Sequence, residues 1–403
     1  MSESPECDNL AWNRISYFSQ ALIRGLSNEW SVNKNAIIEC IPPLVTISLC
    51  LSSHLNLICN TEKVKDVLLF IKNDHNYYIN RPENKILQFY TTQGNKIILY
   101  YLCKSALVQN EEKLFSSTLK AFSILAYLYS TVLAFLLGPT ISLVIDLIQS
   151  NHSKEKSLPV IVDYGVDTQQ YFYYVFIPVY IAIFIVAMVV STSYSAYILY
   201  VQHACALFAI VSYQLRTIHI LDTSSLINLK DHHLLEKYKN VELSQEEKEK
   251  IFRKLLLCIK EHKNAIRYSN LVESLFAKFI LAQMFFHIIC LSIGGVGTVL
   301  NLGNTDEMTR FGSLALAQAI HIFILCLPGQ RLLNHSEEVY VATCEVVWYM
   351  LPKKFHSLYM LLIARTMKFS KITAFKMAVM SMETFLEIIQ TTMSYFTMLL
   401  STI

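Results

Sequence analysis

Thr384-Phe-Leu-Glu-Ile-Ile-Gln-Thr-Thr-Met-Ser-Tyr-Phe-Thr-Met-Leu-Leu-Ser-Thr-Ile403 reads as a membrane helix with one polar face. It carries a single charge, Glu387, and about 20 helical residues at 1.5 Å each cross a hydrocarbon core of roughly 30 Å. The polar residues in and just before it are ordered. Glu383, Glu387, Gln390, Ser394, Thr397 and Ser401 follow at steps of 4, 3, 4, 3 and 4, which places all six on one helical face, with Met398 beside them. Phe385, Leu386, Ile388, Ile389, Met393 and Leu399 cover much of the remainder. Hydrocarbon offers polar groups no partner, so this stripe must face protein or water. Two readings follow: polar contacts between packed helices, or one wall of an aqueous pore.

Composition agrees with a membrane protein. Of 403 residues, 53% are hydrophobic and 16% charged, and mean hydropathy is +0.38; soluble domains carry nearer a quarter charged residues. A net charge of +3, with no basic tract carrying interleaved aromatics, argues against a nucleic-acid partner. The ten cysteines are dispersed and include no C-x-x-C pair, so neither a zinc site nor a disulfide scaffold is indicated. Residues 1–9 hold Glu3, Glu6 and Asp8 without an apolar core, so no cleavable signal peptide is expected.

Working outward, apolar runs long enough to cross occur at about 36–59, 121–148, 171–201, 274–300 and 311–328, with 384–403 the sixth. Residues 10–26 make a weak seventh candidate, because Arg14 and Arg24 confine the uncharged part. Residues 97–108 are too short and carry Lys104, which suits an interfacial or cytoplasmic helix. The successive loops hold 9, 2, 11, 1 and 7 Lys/Arg. By the positive-inside tendency the basic loops are cytoplasmic and the C-terminus is outside. The fold expected is therefore an all-α polytopic bundle of six clear spans. A crossing at 10–26 makes it seven, with a cytoplasmic N-terminus, inverted relative to a G-protein-coupled receptor. Asn151 heads the one sequon on a predicted outer loop.

The basic loops read as structured. Residues 202–221 continue the preceding span as an amphipathic helix, Ser244 to Glu247 opens another over 244–270 with a capping-box pattern, and 337–364 reads as a third.

These residues resemble a family. The string Met367-Lys-Phe-Ser-Lys-Ile-Thr-Ala-Phe-Lys-Met-Ala-Val-Met-Ser-Met-Glu-Thr-Phe385, running on to Ser394-Tyr-Phe-Thr-Met-Leu-Leu400, resembles the C-terminal signature of insect odorant receptors. So do Glu39-Cys-Ile-Pro-Pro43, Tyr171-Phe-Tyr-Tyr174, His203-Ala-Cys-Ala-Leu-Phe-Ala-Ile-Val-Ser-Tyr-Gln-Leu215 and Pro328-Gly-Gln-Arg-Leu332. The resemblance covers about residues 36–403. It implies a ligand-gated, nonselective cation channel of four subunits in the plasma membrane of an olfactory neuron dendrite, pairing odorant-tuned subunits with a shared olfactory co-receptor. The last helix then lines the pore, and an odorant pocket occupies the outer half of the bundle. The chain lacks the long insertion of the co-receptor's second cytoplasmic loop, which favours the tuning subunit. One integral domain over 1–403 follows, with 10–26 its first span, 36–383 the ligand-binding bundle and cytoplasmic helices, and 384–403 the pore helix. Phe375 stands where the family usually has Gly and Cys344 where it often has Tyr, and about twenty extra residues lie between Tyr101 and Ala121.

Candidate ligand contacts are Ile41, Val45 and Ser48 on the first clear span, Phe135 on the second, and Tyr173, Phe176 and Tyr180 on the third. The last three share a face suited to a mainly apolar pocket; an interfacial aromatic belt is the alternative. Candidate pore residues are Glu383, Glu387, Gln390, Ser394, Thr397, Met398 and Ser401. The expected ligand is a small, hydrophobic, volatile molecule. His287 and His321 lie in spans and read as satisfied core histidines, and no metal site, cofactor or catalytic constellation emerges. Enzyme activity is not expected. A G-protein-coupled receptor and a degenerate, non-functional receptor are the alternatives; the former lacks its Asp-Arg-Tyr and Asn-Pro-x-x-Tyr motifs here.

Overall fold

The computed structural model describes residues 34–90, 170–218, 244–301, 303, 305–346, 348 and 355–402. The weak span at 10–26, the segment 97–108, the span at 121–148 and the loop bearing Asn151 lie outside the described residues.

Helix α1, Lys34–Cys59, passes through Pro42-Pro43. It breaks at Asn60 and turns by 65° into α2, Thr61–Tyr78. Asn60 stabilises the bend by donating its carboxamide N–H to Asn56 O at 3.0 Å. The sequence reading assigned no helix to 61–78. Its amphipathic signal is Val64, Val67 and Ile71 at helical spacing, and all three pack on the core.

Helix α3, Phe172–Arg216, is 45 residues long and α4, Gln245–Leu300, is 56. At 1.5 Å per residue they measure about 67 and 84 Å, more than twice the bilayer's hydrocarbon thickness, so each extends well beyond a single crossing. The segments 244–270 and 274–300, expected as separate helices, form one rod, since neither Gly nor Pro interrupts the junction. Its start carries a complete capping box. Glu247 N donates to Ser244 Oγ at 3.2 Å, and Ser244 N donates to Glu247 Oε2 at 2.7 Å.

Helix α5, Thr305–Glu345, runs through Pro328. The helix expected over 337–364 is corrected here: α5 ends at Glu345 and α6 spans His356–Thr366. The sequence between the two holds Pro352, a residue type that disfavours one continuous helix over 337–364. The two pieces stay together through Tyr359, whose hydroxyl donates to Thr343 O. Burial holds that hydroxyl well above its ordinary pKa, so it remains a donor.

A short antiparallel hairpin, β1 (Thr373–Ala374) and β2 (Ala378–Val379), precedes the last helix, α7, Met382–Thr402. Ser381 caps α7 by accepting from Thr384 N at 3.2 Å. Among the described residues three helices are long and apolar enough to cross a membrane, namely α3, α4 and α5 from Phe311; the bent α1–α2 pair would make a fourth. At 21 residues α7 has sufficient length but is not among them. Its polar stripe lowers the average.

Tyr194, Tyr197, Phe208 and Leu215 of α3, Leu255, Tyr268, Phe276 and Phe279 of α4, and Ile322, Leu325 and Val339 of α5 form one buried cluster. It extends to Tyr359 of α6 and to Ile372 and Met380 flanking the hairpin. The described residues form a mostly helical bundle with one short hairpin.

Candidate functional site

The pore candidate is built from the hairpin upward. Gly329 of α5 sits directly against the strand leaving the hairpin: a Cβ there would lie 2.3 Å from Met380 O. Only glycine permits this approach. Beside it, Gln330 Oε1 accepts from Met382 N at 3.0 Å, fixing the first residue of α7. Phe385 then meets Phe323 of α5 edge to face at 5.5 Å. Met382, Phe385, Ile388 and Ile389 all pack on the core cluster.

These contacts orient α7. At about 100° per residue, 382, 385, 388 and 389 centre on one side, and 383, 387, 390, 394 and 397 centre about 150° away. Glu383, Glu387, Gln390, Ser394 and Thr397 are exposed. Met398 is exposed on the same side, and Ser401 lies in the helix. The stripe thus turns away from its own bundle. Several hydroxyls along α7 are satisfied within the helix, Ser394 Oγ donating to Gln390 O at 2.9 Å and Thr397 Oγ1 to Ser394 O at 2.9 Å. Glu383, Glu387 and Gln390 are left to present the strongest polarity outward.

The ligand candidates fall into two groups. On α3, Phe172, Phe176 and Tyr180 form a ladder at four-residue spacing: the first two rings are 5.2 Å apart, and Phe176 stacks on Tyr180 at 4.2 Å. Tyr173 is largely exposed and touches the ladder edgewise through Phe172 at 5.5 Å. On α1, Val45 is buried with Leu49 against Cys290, Phe286 and Ile289 of α4. Ser48 is half-buried and donates to Leu44 O at 2.9 Å. Ile41 lies in α1. Phe135 and Asn151 lie outside the described residues.

Between these groups and the deep core lies a polar knot that sequence reasoning did not assemble. Gln283 of α4 donates through Nε2 to Leu49 O at 3.2 Å, Ser52 Oγ at 2.9 Å and Ser53 Oγ at 3.3 Å, all on α1. Tyr194 of α3 lies 2.8 Å from His287 Nε2, and His287 Nδ1 is 2.6 Å from Gln318 Oε1 of α5. One tautomer satisfies both contacts: His287 donates from Nδ1 and accepts the tyrosine proton at Nε2. His321 stacks on His287 at 5.2 Å with the rings 7° from parallel. Four helices meet here, and the arrangement is structural: a neutral, hydrogen-bonded imidazole. The available signal was spacing, since Gln283/His287 and Gln318/His321 are four and three apart within apolar runs. Among the described residues no group of three or more His, Cys, Asp or Glu is arranged to hold a metal ion.

Residues 94–393 match the family described as 7tm Odorant receptor. The chain belongs to this family. Odorant receptor 63a of Drosophila melanogaster is 24% identical over 147 residues, covering 36% of this chain and 35% of that receptor. That alignment therefore spans about a third of its relative. The insect olfactory receptor OR5 from Machilis hrabei superposes with a TM-score of 0.58 at 13% identity, covering 98% of this chain and 88% of that one. Its complex with eugenol superposes at 0.62 with the same identity and coverage. These two likenesses bear on the fold. The odorant receptor is thus a multi-pass membrane protein with the helical bundle of that family, a receptor rather than an enzyme.

Proposed function

We propose that this odorant receptor is a tuning subunit of a ligand-gated, nonselective cation channel. It assembles with olfactory co-receptor subunits as a heterotetramer in the plasma membrane. The observation that carries the reading is the orientation of α7. A polar stripe turned away from its own bundle has no place facing lipid, and around a shared axis it becomes a pore wall. The C-terminus then lies outside with Asn151 glycosylated, and Glu383 and Glu387, one turn apart, sit at the cytoplasmic mouth, where carboxylates concentrate cations. A small volatile ligand, such as the eugenol bound by the relative, occupies the region between the α3 ladder and α1. Ile41, Val45, Ser48 and Phe135 join Tyr173, Phe176 and Tyr180 in its wall. Apolar contact there contributes roughly 25 cal/mol per Å² buried.

The test is current recorded from cells expressing the chain with the co-receptor, against a panel of volatiles. Glu383→Gln with Glu387→Gln is expected to lower cation conductance or change divalent block while the ligand concentration for half-maximal response stays put. Unchanged conductance with a shifted ligand response would remove the stripe from the pore. A C-terminal tag unreachable by antibody on intact cells would overturn the orientation.

A further inference from the structure

Helix α2 lies antiparallel along α4. Lys63 Nζ donates to Ser274 O at 3.0 Å at one end, Phe70 meets Tyr268 at 5.1 Å midway, and Tyr77 Oη donates to Glu261 Oε1 at 3.2 Å at the other. The two helices leave a groove of about 660 Å³ between them. Leu69 and Phe70 give it apolar surface, and Asp66 of α2 lines it together with Asn264, Arg267 and Asn270 of α4. A second acid on its wall, Asp74, is already engaged, 2.9 Å from His203 Nε2 of α3. Asp66 and Arg267 are not. They line one groove without forming an ion pair, and among the described residues neither side chain has a hydrogen-bond partner. Opposite charges held apart in this way leave room for a group that carries both.

The groove's level along the helices is set by charge. No Asp, Glu, Lys or Arg occurs from 40 to 61 or from 279 to 300, so α1 ends its uncharged run where α2 begins, and α4 begins its own just past Ser274. The Lys63 contact with Ser274 puts these two boundaries side by side. Along the rod, Asn270 and Arg267 lie about 6 and 10 Å beyond Ser274 on the charged side. The headgroup layer on each face of a bilayer is roughly 5–8 Å thick. The groove therefore opens at the headgroups, outside the hydrocarbon. Leu69 on its wall is exposed, as are Leu55 and Ile58 on the last turns of α1, so apolar surface is available on both sides of the bend.

We infer that the groove between α2 and α4 binds the headgroup of an aminophospholipid, with Arg267 on its phosphate and Asp66 on its primary ammonium. A guanidinium matches phosphate oxygens in paired hydrogen bonds. Carboxylate and carboxamide oxygens accept from an ammonium N–H, which a choline headgroup lacks, and a single ring, Phe70, makes no aromatic cage for a quaternary ammonium. A headgroup with net negative charge would set its excess against Asp66 and Asp74. The cytoplasmic leaflet as the source rests on the orientation proposed above; the headgroup level does not.

The experiment is native mass spectrometry of the full-length chain in detergent, with equal amounts of dioleoyl phosphatidylethanolamine, phosphatidylcholine and phosphatidylglycerol. Phosphatidylethanolamine is expected to be retained above the other two. Asp66→Asn and Arg267→Gln should each cut that preference about threefold or more, a size suited to charged contacts at exposed positions. Asp66→Lys should turn it toward phosphatidylglycerol, a gain that misfolding cannot imitate. Lys260→Gln, exposed on α4 outside the groove, should change nothing. Equal retention of the three lipids by the wild-type chain overturns the site. So does a preference that survives both Asp66→Asn and Arg267→Gln, which would place the lipid elsewhere. Free phosphoethanolamine displacing the lipid at equal concentration would assign the groove to a soluble zwitterion and overturn the lipid source. Retention is read without current or partner, so a chain that gives no channel current still tests the groove.

Discussion

The two halves of α3 have the same helix type and contrasting surroundings. From Tyr171 to Met188, Tyr173, Tyr174, Ile177, Ile181, Phe184 and Met188 are exposed. From Tyr194 to Leu215, Tyr197, Ala204, Phe208 and Ile210 are fully buried. Burial in the second half comes from α4 and α5 pressing on the same helix, with Arg216 pinning its end to Glu338 at 2.9 Å and Glu345 at 3.1 Å. The first half presents apolar surface that suits lipid or a ligand. Under the proposed function this division separates a ligand-facing end from a packed end that keeps the helices in register. Substitutions in the packed half should therefore act on folding, and those in the open half on response.

The largest expected effect lies where the packed half meets the last helix. Gly329→Ala places a methyl 2.3 Å from Met380 O and 2.5 Å from Met380 Cβ. The displaced atoms include backbone, so relief requires moving the hairpin and α7 together. A loss of about 3 kcal/mol is expected, at the high end for overpacking, seen as reduced surface labelling and a lower thermal midpoint. Gly303→Ala has nothing within 4 Å and is the silent control. Normal stability of Gly329→Ala would mean that α5 and the hairpin are not tightly joined.

The polar knot marks the boundary between the halves, and its effect should be intermediate. Gln283→Leu leaves the Leu49 carbonyl and the hydroxyls of Ser52 and Ser53 without their α4 donor, at a cost of about 1–3 kcal/mol. Tyr194→Phe removes the partner of His287 Nε2 at lower cost, because the ring still packs on Phe279 at 6.1 Å. The double variant should lose less than the sum in thermal unfolding, since both side chains belong to one network. Strict additivity would divide the knot into independent contacts.

Much of this was legible in the residues. The stripe of α7 and the capping box at Ser244 are written in short-range spacing, and the structure keeps both. The apolar runs of α3, α4 and α5 were equally plain. What escaped depended on partners distant in the chain. Nothing near Gly329 reveals that Met380 will press on it, and Gln283 finds its partners on α1 more than 200 positions away. The fused rod of α4 escaped for another reason: a change from charged to apolar composition near 270 looks like a boundary, although helix propensity continues across it. Phe172 was left out of the aromatic face because Tyr173 fits the same loose period, and only the ring contacts distinguish them.

In the open half the effect should appear in response rather than in stability. Tyr180→Ala removes the end of the ladder stacked on Phe176. Such a pair contributes about 0.5–1.5 kcal/mol beyond area, little of which a half-exposed position returns to folding. The rank order of volatile ligands should change while surface labelling remains at the wild-type level. An equal loss for every ligand would assign Tyr180 to gating or folding, and the open half would not be the recognition end.

The smallest effect concerns the hairpin that launches α7, and it has the unusual sign. Phe375 and Lys376 adopt φ of 50° and 63°, the left-handed region that costs a residue with a Cβ about 1–2 kcal/mol. Glycine would adopt that conformation freely, which gives a physical reason for the glycine usual in the family at Phe375. The aromatic ring recovers little, being 55% exposed. Phe375→Gly should therefore stabilise the protein, but only by about 0.5 kcal/mol, because glycine also loses more backbone freedom on folding. Two places on, Met377 is 76% exposed and has no positive φ, so Met377→Gly should destabilise by about 0.5–1 kcal/mol. Comparing the thermal midpoints of the two variants cancels what is common to adding a glycine. If both fall together, the turn tolerates Phe375 without strain, and its left-handed backbone is not a weak point of the hairpin.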